Sequence, residues 1–376
     1  MPDRAPRRLL LLINSLEGGG AENVMARVAG GLAGHLDDVT IRMALLDDLP
    51  AAYEVDPRIE VVRLDSRGKF GRSIAETRRQ VGAWRPDVVL SFLTRANCAA
   101  ILGRNRGNYR CVISERVNTS SHLGDGLKGR LLRRMVAWLY PRADVVIAVS
   151  SGVAKELAEN YGVPRARLRV INNPVDGPGL RRQAEAEPGI PLPPDYFVSV
   201  GRLVPNKGHD VLLRAFAAHR NRERHLLILG EGPERAHLEA LAAELGVDGR
   251  VHMPGYVENP HAIVGRATAY VSASRSEGFP NALVEAMALR RAVAATDCPS
   301  GPAELLAERD TGATRGMEAA AWGILAPLDD AAALAAAMDE LEDPTVRESY
   351  AARACERAGA YGNDPVFDAY AAVLEV

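Results

Sequence analysis

Short apolar runs alternate with amphipathic stretches along almost all of the 376-residue chain. This alternation is typical of a parallel sheet covered by helices. The predicted strands of the first half are 9–14, 39–46, 59–64, 87–92, 111–114 and 144–150. Those of the second half are 196–201, 225–230, 250–255, 269–274 and 292–297. Two further stretches, 331–343 and 364–376, are predicted to be helices.

The pattern is interrupted once, over 172–194, where Pro, Gly and charged residues dominate. Such a composition has poor helix or strand potential and is typical of a linker. We therefore predict one Rossmann-like domain over 1–178 and a second over 179–358. A C-terminal helix over 359–376 is expected to cross back to the first domain.

Composition and charge narrow the class of protein. Apolar residues make up 47% and charged residues 25% of the chain, which is ordinary for a globular protein. No apolar run approaches the roughly 20 residues that span a bilayer, and 9–14 is interpreted as a buried strand rather than a secretory signal. Four well-separated cysteines suit a reducing compartment and argue against structural zinc. The first 178 residues hold 27 Lys and Arg against 19 Asp and Glu, and the remainder holds 19 against 29, so the first half is expected to meet an anionic partner.

Strand-to-helix turns are the candidate phosphate-binding features, because helix N-termini offer free N–H groups there. The first such turn, "NSLEGGGAEN", follows the first predicted strand. The dinucleotide fingerprint G-x-G-x-x-G fails because Asn23 stands at the third glycine position, which disfavours an NAD-dependent dehydrogenase. A plain tight turn remains an alternative for this segment.

Two more turns lie in the second half of the chain. "VSVGRLVPNKGHD" is not a Walker A loop, yet Arg202 and Lys207 flank its turn and form a cationic clamp suited to a diphosphate. Two solvated surface charges are the alternative. "ILGEGPERAHLEALAAELG" contains Gly230 and Glu231 and is interpreted as mostly structural.

The segment "SEGFPNALVEAMAL" carries two glutamates, Glu277 and Glu285, on either side of a Gly-Phe-Pro turn. Taken alone, they could decorate a helix start or mark the two ends of one binding site.

Together, "GGGAEN", "GRLVPNKG", "GEGPE" and "SEGFPNALVEAMA" resemble the retaining family 4 glycosyltransferases over nearly the whole chain. The segment "ATDCPSGPAELL" looks like the bacterial members that add N-acetylhexosamines to undecaprenyl-diphosphate-linked glycans. The resemblance implies an α/β protein of the GT-B fold, with two doubly wound Rossmann-like domains facing across a cleft. It also implies a UDP-sugar donor, UDP-GalNAc or UDP-GlcNAc, and a lipid-linked or glycan acceptor.

The resemblance further implies roles for individual residues. Arg202 and Lys207 match the pair that neutralises the donor diphosphate. Glu277 matches the glutamate that faces the donor sugar, and Glu285 matches the glutamate that binds the ribose hydroxyls. His122, in "ERVNTSSH", matches the histidine near the reactive sugar carbon, with a surface-loop histidine as the alternative. The other expected donor contacts are Gly19, Gly20, Gly201, Gly230, Glu231, Gly278, Phe279, Pro280, Asn281, Ala282 and Leu283. One departure is Arg290, where the family has a glycine that caps the helix in the left-handed conformation.

The expected chemistry needs no metal and no cofactor. The sequence contains no D-x-D triplet, so fixed cations and helix N-termini must stabilise the departing diphosphate. No residue is an evident nucleophile. We therefore favour front-face displacement with retention, in which the leaving phosphate takes the acceptor's proton, and double displacement stays open.

The stretch 126–142 combines Lys and Arg residues with an apolar stripe and a Trp at helical spacing. It is typical of a helix that binds an anionic membrane surface, and it equally fits a core helix with a solvated basic face. A nucleic-acid partner is not expected, because the basic side chains of this stretch lack neighbouring aromatic residues that could stack on nucleobases. The sequence predicts a cytoplasmic protein, with peripheral binding to the inner membrane as a further expectation. A transferase acting on a soluble acceptor and a non-catalytic nucleotide-sugar-binding protein remain as alternatives.

Overall fold

The computed structural model describes residues 7–36, 38–104, 109–124 and 126–375. The chain divides into two compact units, one formed by Met1–Pro174 with Asn363–Val376 and the other by Val175–Gly362. The sequence prediction had boundaries at 178 and 358. The last helix belongs to the first unit.

The first unit contains a seven-stranded sheet in the order β3-β2-β1-β4-β5-β6-β7. Its strands are β1 (Arg7–Ile13), β2 (Val39–Leu45), β3 (Glu60–Arg63), β4 (Val88–Phe92), β5 (Arg110–Glu115), β6 (Val145–Ala148) and β7 (Leu168–Val170). Every pairing among them is parallel. The central strand β1 is buried on both faces from Leu9 to Ile13, which explains why it is a continuous apolar run rather than an alternating one.

Helices cover this sheet. They are α1 (Gly20–His35), α2 (Phe70–Trp84), α3 (Thr94–Gly103), α4 (Thr119–Leu123), α5 (Leu127–Leu139), α6 (Ser151–Tyr161) and the last helix of the chain, α15 (Asn363–Leu374). Helix α15 packs on α1, where Gly31 has no side chain and the ring of Phe367 fills that space. Tyr370 of α15 is fully buried in the same core. The C-terminal segment therefore completes the first unit.

The second unit repeats the architecture with a sheet in the order β10-β9-β8-β11-β12-β14-β13. Its strands are β8 (Tyr196–Val200), β9 (His225–Leu229), β10 (Val251–Gly255), β11 (Ala269–Ser272), β12 (Ala292–Thr296), β13 (Glu318–Ala319) and β14 (Ile324–Ala326). Only β13 runs antiparallel to its neighbour among the described strands. The helices are α7 (Gly177–Glu185), α8 (His209–Ala218), α9 (Arg235–Glu244), α10 (Pro260–Val264), α11 (Asn281–Ala288), α12 (Pro302–Ala307), α13 (Ala331–Glu340) and α14 (Pro344–Gly359).

Helix α7 corrects the prediction that 172–194 lacks regular structure. The Asp176 side chain caps the helix by accepting a hydrogen bond from the Gly179 N–H at 3.0 Å, and Pro178 stands in its first turn. Leu180 is buried, and α7 packs on α10 and α11. The cap and one buried residue thus stabilise a helix that composition alone did not reveal. The short strands β7, β13 and β14 were also missed, because two or three residues give no readable periodicity.

Candidate active site

The candidate site of the second unit lies at the carboxyl ends of its central strands. Because β9, β8, β11 and β12 are adjacent in the sheet, the loops that follow them meet at one edge. These loops begin at Gly201, Gly230, Ala273 and Asp297. Ligands of open α/β sheets bind at this edge. We call the residues of these four loops, together with the first turn of α11, the rim.

Two glycines permit the close approach of the rim loops. Gly230 has φ +144°, and a β-carbon there would overlap the carbonyl oxygen of Gly201. Gly208 has φ +62°, and a β-carbon there would overlap the carbonyl oxygen of Ala273. Only glycine combines these conformations with these contacts at low cost. The turn that carries Lys207 is therefore held directly against the end of β11.

Lys207 and Glu277 are paired across the rim. The Lys207 Nζ donates a hydrogen bond to Glu277 Oε1 at 2.6 Å, and the two side chains are only 25% and 11% exposed. The backbone carbonyl of Glu277 accepts a further hydrogen bond from the Ser300 hydroxyl, in the loop after β12. A charge-assisted pair of this kind is among the stronger hydrogen bonds in proteins. Two residues singled out separately in the sequence thus meet in one ion pair.

Arg202 stands on the same rim and differs from Lys207 in having a solvent-exposed side chain. Within the described residues, its guanidinium makes no hydrogen bond or ion pair. Its planar fork is therefore available to a bidentate anion such as a phosphate.

The turn between the two glutamates is rigid. Phe279 is buried and packs edge-on against the ring of Tyr361, with ring centroids 5.5 Å apart. Pro280 lies against Gly301, where its ring leaves no room for a β-carbon and where φ is +99°. Helix α11 begins at Asn281, and Pro280 at its N-cap provides no side-chain cap. The N–H groups of Asn281 and Leu283 donate to the carbonyls of Phe279 and Pro280 at 3.0 Å each, so the positive end of the helix dipole lies at the rim with part of its first turn already bonded.

Four other expected donor contacts lie in the same segment. Gly278 is buried, and the Leu283 side chain is 1% exposed and belongs to the core. Leu283 could therefore meet a ligand only through its backbone. Asn281 and Ala282 are partly exposed at the helix start.

Glu285 carries the second carboxylate, and its partner was missed by sequence reasoning. Oε2 of Glu285 lies 3.2 Å from Nε2 of His261, which comes from α10. The side chains of His261 and Glu285 are 16% and 22% exposed. A histidine in an Asn-Pro-His turn 24 residues upstream gives no sequence signal of this contact.

Glu231 follows Gly230 and is exposed. Its Oε1 accepts a hydrogen bond from the Tyr256 N–H at 3.3 Å and lies 3.6 Å from Arg235 Nη1. It therefore holds the loop after β10 against the loop after β9.

Cys298 lies in the loop after β12 but is unsuited to nucleophilic chemistry. It is fully buried, and burial together with the nearby Glu277 charge raises the pKa of its thiol. The thiolate needed for attack is therefore scarce at neutral pH. In the same way burial raises the pKa of Tyr270, which lies in β11, so its hydroxyl stays protonated.

The residues expected from the first unit lie at the carboxyl ends of its own strands. Gly19, in the turn that follows β1, is the N-cap of α1, and Gly20 is the first helical residue. A β-carbon at Gly19 would overlap the carboxylate of Glu22. This loop is therefore a compact glycine turn at the centre of the first sheet.

His122 lies on α4, after β5, and its side chain is exposed. Asn118 caps this short helix by accepting a hydrogen bond from Ser121, and the Thr119 and Ser120 N–H groups donate to the Glu156 carboxylate at 2.9 and 2.7 Å. His122 thus stands on an anchored helical turn rather than in a loose polar loop. Its role near the reactive carbon stays a prediction.

A buried acid stands at the end of β5. Glu115 is fully buried and accepts hydrogen bonds from the Tyr140 hydroxyl at 2.5 Å and the Arg116 N–H at 3.1 Å. Burial raises its pKa to about 7, against the pull of these hydrogen bonds.

Helix α5 presents an apolar and basic face to solvent. Leu127, Leu131 and Trp138 are 86%, 68% and 56% exposed and lie on one side, while Val136 and Leu139 are buried on the other. The exposed bases of the same helix are Lys128, Arg130 and Arg134. The inward face of α5 packs on the unit and its outward face is unusually apolar. Among the described helices, none is long and apolar enough to cross a membrane.

Arg290 ends α11 in an unexpected way. The sequence led us to expect that the helix would lose its left-handed cap, but Arg290 itself adopts φ +56°. The Arg291 N–H then bonds the Ala286 carbonyl at 2.9 Å, as in a glycine-capped helix end. The cap geometry is kept, at the cost of strain in a non-glycine residue. Within the described residues, no group of three or more His, Cys, Asp or Glu could hold a metal ion.

Comparison with known proteins gives consistent matches over both units. The family model "Glycosyltransferase Family 4" matches residues 18–177, and "Glycosyl transferases group 1" matches 194–343. A curated relative from Campylobacter jejuni, N-acetylgalactosamine-N,N'-diacetylbacillosaminyl-diphospho-undecaprenol 4-alpha-N-acetylgalactosaminyltransferase, is 27% identical over 94% of this chain and 96% of its own. The lipopolysaccharide 1,6-galactosyltransferase of Escherichia coli is 31% identical over 44% of this chain and 46% of its own.

Solved structures agree in fold. HepE of Anabaena in complex with UDP superposes with a TM-score of 0.80 at 19% identity, covering 98% of this chain and 99% of that one. Sucrose-phosphate synthase of Thermosynechococcus elongatus superposes with a TM-score of 0.81 at 19% identity, covering 97% and 98%.

Proposed function

We infer the function of this chain from the premise that it belongs to the family 4 glycosyltransferases of the GT-B fold. It is proposed to be a retaining enzyme that moves a hexose or N-acetylhexosamine from a UDP-sugar to a polyprenyl-diphosphate-linked glycan. The observation that carries this proposal is the ion pair of Lys207 with Glu277 on the rim that also carries Arg202 and the start of α11, the helix of Glu285.

The diphosphate would bind between the two cations and the start of α11. Arg202 supplies an exposed bidentate fork and Lys207 a point charge, and the N-terminus of α11 supplies the positive end of the helix dipole. These fixed groups face the charge that develops on the leaving diphosphate, which is the requirement for electrostatic catalysis. They would do so without a metal ion.

The glutamates would hold the two ends of the donor. The Glu277 carboxylate has one oxygen on Lys207, and its other oxygen would accept hydrogen bonds from sugar hydroxyls. Glu285, one turn into α11, would accept from the ribose hydroxyls. UDP is the preferred nucleotide in this proposal, with UDP-GalNAc or UDP-GlcNAc as donor, since the Campylobacter relative is named as an N-acetylgalactosaminyltransferase.

Front-face displacement with retention is the proposed mechanism. The sugar–phosphate bond breaks as the acceptor hydroxyl attacks from the same face, and the leaving phosphate oxygen takes the hydroxyl proton. Two observations support it over double displacement: Glu277 is engaged by Lys207, and Cys298 is buried with a raised pKa. His122 is proposed to lie near the reactive carbon and to hydrogen-bond the sugar.

A lipid-linked acceptor requires the enzyme to work at a membrane surface. The name of the Campylobacter relative specifies an undecaprenol-linked acceptor. The exposed Leu131 and Trp138 of α5, with the bases beside them, suit an anionic lipid surface. We propose that this face binds the cytoplasmic side of the inner membrane. A transferase with a soluble acceptor would not need it.

Sedimentation with vesicles of phosphatidylglycerol and phosphatidylethanolamine tests the membrane proposal. Leu131→Glu should release the protein from the vesicles, while Met317→Glu, which alters an exposed apolar residue of the other unit, should not. If both variants sediment like the unaltered protein, α5 is not the contact and the soluble-acceptor alternative gains.

A thermal-shift panel of UDP-, GDP- and ADP-sugars, with and without EDTA, tests the donor proposal. A UDP-sugar should raise the melting temperature equally in both conditions, and Lys207→Ala should abolish the shift. A shift that appears only with a divalent cation would contradict metal independence. Stabilisation by no nucleotide sugar would contradict the function itself.

A further inference from the structure

Resting on the function proposed above, we propose that His261 is a positioning residue that fixes the Glu285 carboxylate for the ribose hydroxyls of the donor. The His261 Nε2 lies 3.2 Å from Glu285 Oε2. Both neutral imidazole with its proton on Nε2 and protonated imidazole can donate this hydrogen bond. One carboxylate oxygen is thereby occupied, and the lone pairs of the other remain for a ligand.

The backbone of His261 is held rigidly. The Asn259 side chain caps α10 by accepting from the Ala262 N–H at 3.4 Å, and the Gly265 N–H bonds the His261 carbonyl at 2.8 Å. The Asn259 amide also donates to the Gln183 carbonyl of α7 at 2.8 Å. Ala262, Ile263 and Val264 are buried, so α10 cannot rotate without exposing them. The imidazole is thus a fixed reference point for a carboxylate on another helix.

A fixed carboxylate matters because a glutamate side chain has three rotatable bonds. Ordering such a side chain on binding costs conformational entropy, and a partner that orders it beforehand removes part of that cost. The side chain of Glu285 is 22% exposed, so it is reachable by ligand while being largely enclosed. His261 therefore acts on affinity through Glu285, without touching the donor itself.

The proposed role of His261 concerns one part of the ligand, the ribose. Loss of His261 should weaken recognition of the ribose hydroxyls and leave diphosphate and base recognition unchanged. A merely structural role would weaken all parts of the ligand together. Removing the hydroxyls from the ligand therefore separates the two possibilities, as in a double-mutant cycle.

The experiment measures the dissociation constants of UDP and of 2′,3′-dideoxy-UDP by calorimetry. His261→Ala is expected to weaken UDP binding about 3- to 10-fold, the range for loss of one hydrogen bond, with dideoxy-UDP unaffected. His261→Gln, whose side-chain amide can donate from the Nε2 position, should restore at least half of the loss in free energy. His252→Ala, which removes a histidine paired with His225 where β9 and β10 begin, is the matched control and should change neither constant.

Two results would overturn the inference. One is equal weakening of UDP and dideoxy-UDP by His261→Ala, and the other is no weakening of either. Unchanged dideoxy-UDP binding also demonstrates that the variant is folded. The proposed function fails separately: if Glu285→Ala keeps the full preference for UDP over dideoxy-UDP, Glu285 does not bind the ribose. If Glu285→Ala loses the preference and His261→Ala keeps it, only the role of His261 is refuted.

Discussion

Replacing Glu277 by Gln should have opposite effects on nucleotide binding and on sugar transfer. In the structure the Glu277 carboxylate neutralises the Lys207 ammonium at 2.6 Å. A diphosphate must therefore compete with Glu277 for that ammonium. Glu277→Gln keeps the size of the side chain and removes the competing charge, so Lys207 becomes more available to phosphate. The same change removes the charged acceptor proposed to hold the sugar hydroxyls.

The size of each effect follows from the pair's surroundings. A hydrogen bond between charged groups contributes about 1.5–3 kcal/mol. Because the Lys207 and Glu277 side chains are 25% and 11% exposed, water screens part of this attraction. Removing the competing carboxylate is therefore expected to strengthen phosphate binding by about 1 kcal/mol. UDP should then bind about fivefold more tightly to the variant. Sugar transfer should fall about 10- to 100-fold, the cost of losing one charged hydrogen bond to the substrate.

The assay combines calorimetry with UDP and initial rates of sugar transfer. The double variant Lys207→Met with Glu277→Gln is the control, because without the ammonium the gain in UDP affinity should vanish. Glu234→Gln removes a carboxylate from the same unit without touching Lys207 and should leave both readouts unchanged. Weaker or unchanged UDP binding by Glu277→Gln would refute the competition between Glu277 and phosphate.

Three further expectations concern stability and backbone geometry. Arg290→Gly should raise the free energy of unfolding, measured by chemical denaturation, by about 0.5–1 kcal/mol. Glycine relieves the strain of the positive φ, and the ion pair with Glu348 that is lost is exposed and contributes little. Arg290→Ala keeps the strained φ and should not stabilise the protein. Burial opposes ionisation of Glu342, but hydrogen bonds from Arg224 outweigh it and lower the Glu342 pKa to about 2. The stability that the ionised carboxylate contributes is therefore present above about pH 4.5 and is lost as pH falls through 2. In thermal melts Glu342→Gln should cost about 1–2 kcal/mol at pH 7 and little at pH 2, and an equal cost at both pH values would contradict this. Gly208→Ala should destabilise the protein by more than about 1 kcal/mol and slow transfer, because its β-carbon would push the Lys207 turn off β11; an unaltered melting temperature would contradict the required close approach.

Sequence patterns predicted the two sheets well because their central strands are buried on both faces. Leu9–Leu12 and the runs at 226–229 and 292–295 are continuous apolar segments, as expected for strands buried on both faces of a parallel sheet. Helix α7 was missed although Asp176 and Pro178 are ordinary N-terminal helix signals. The surrounding Pro, Gly and charged residues masked them, and the packing of α7 on α10 and α11 cannot be read from its own residues.

The sequence predicted which residues form the candidate site, but it did not predict which of them contact one another. Arg202, Lys207, Glu277 and Glu285 occur in motifs with fixed spacing, so their positions at strand ends followed from the order of elements. The ion pair between Lys207 and Glu277 joins residues 70 positions apart, and no local pattern reveals it. His261 lies on a different helix, α10. Its contact with Glu285 depends on the packing of both α10 and α11 against α7.

The central claim is that this chain transfers sugar from a nucleotide donor with retention and without a metal ion. The direct measurement is the transfer of sugar from UDP-GalNAc or UDP-GlcNAc to a polyprenyl-diphosphate-linked glycan in the presence of EDTA. The anomeric configuration of the product is then read by NMR. The expected product keeps the α-configuration of the donor, and Lys207→Ala should form none of it. A β-linked product, or transfer that stops on addition of EDTA, would contradict the claim.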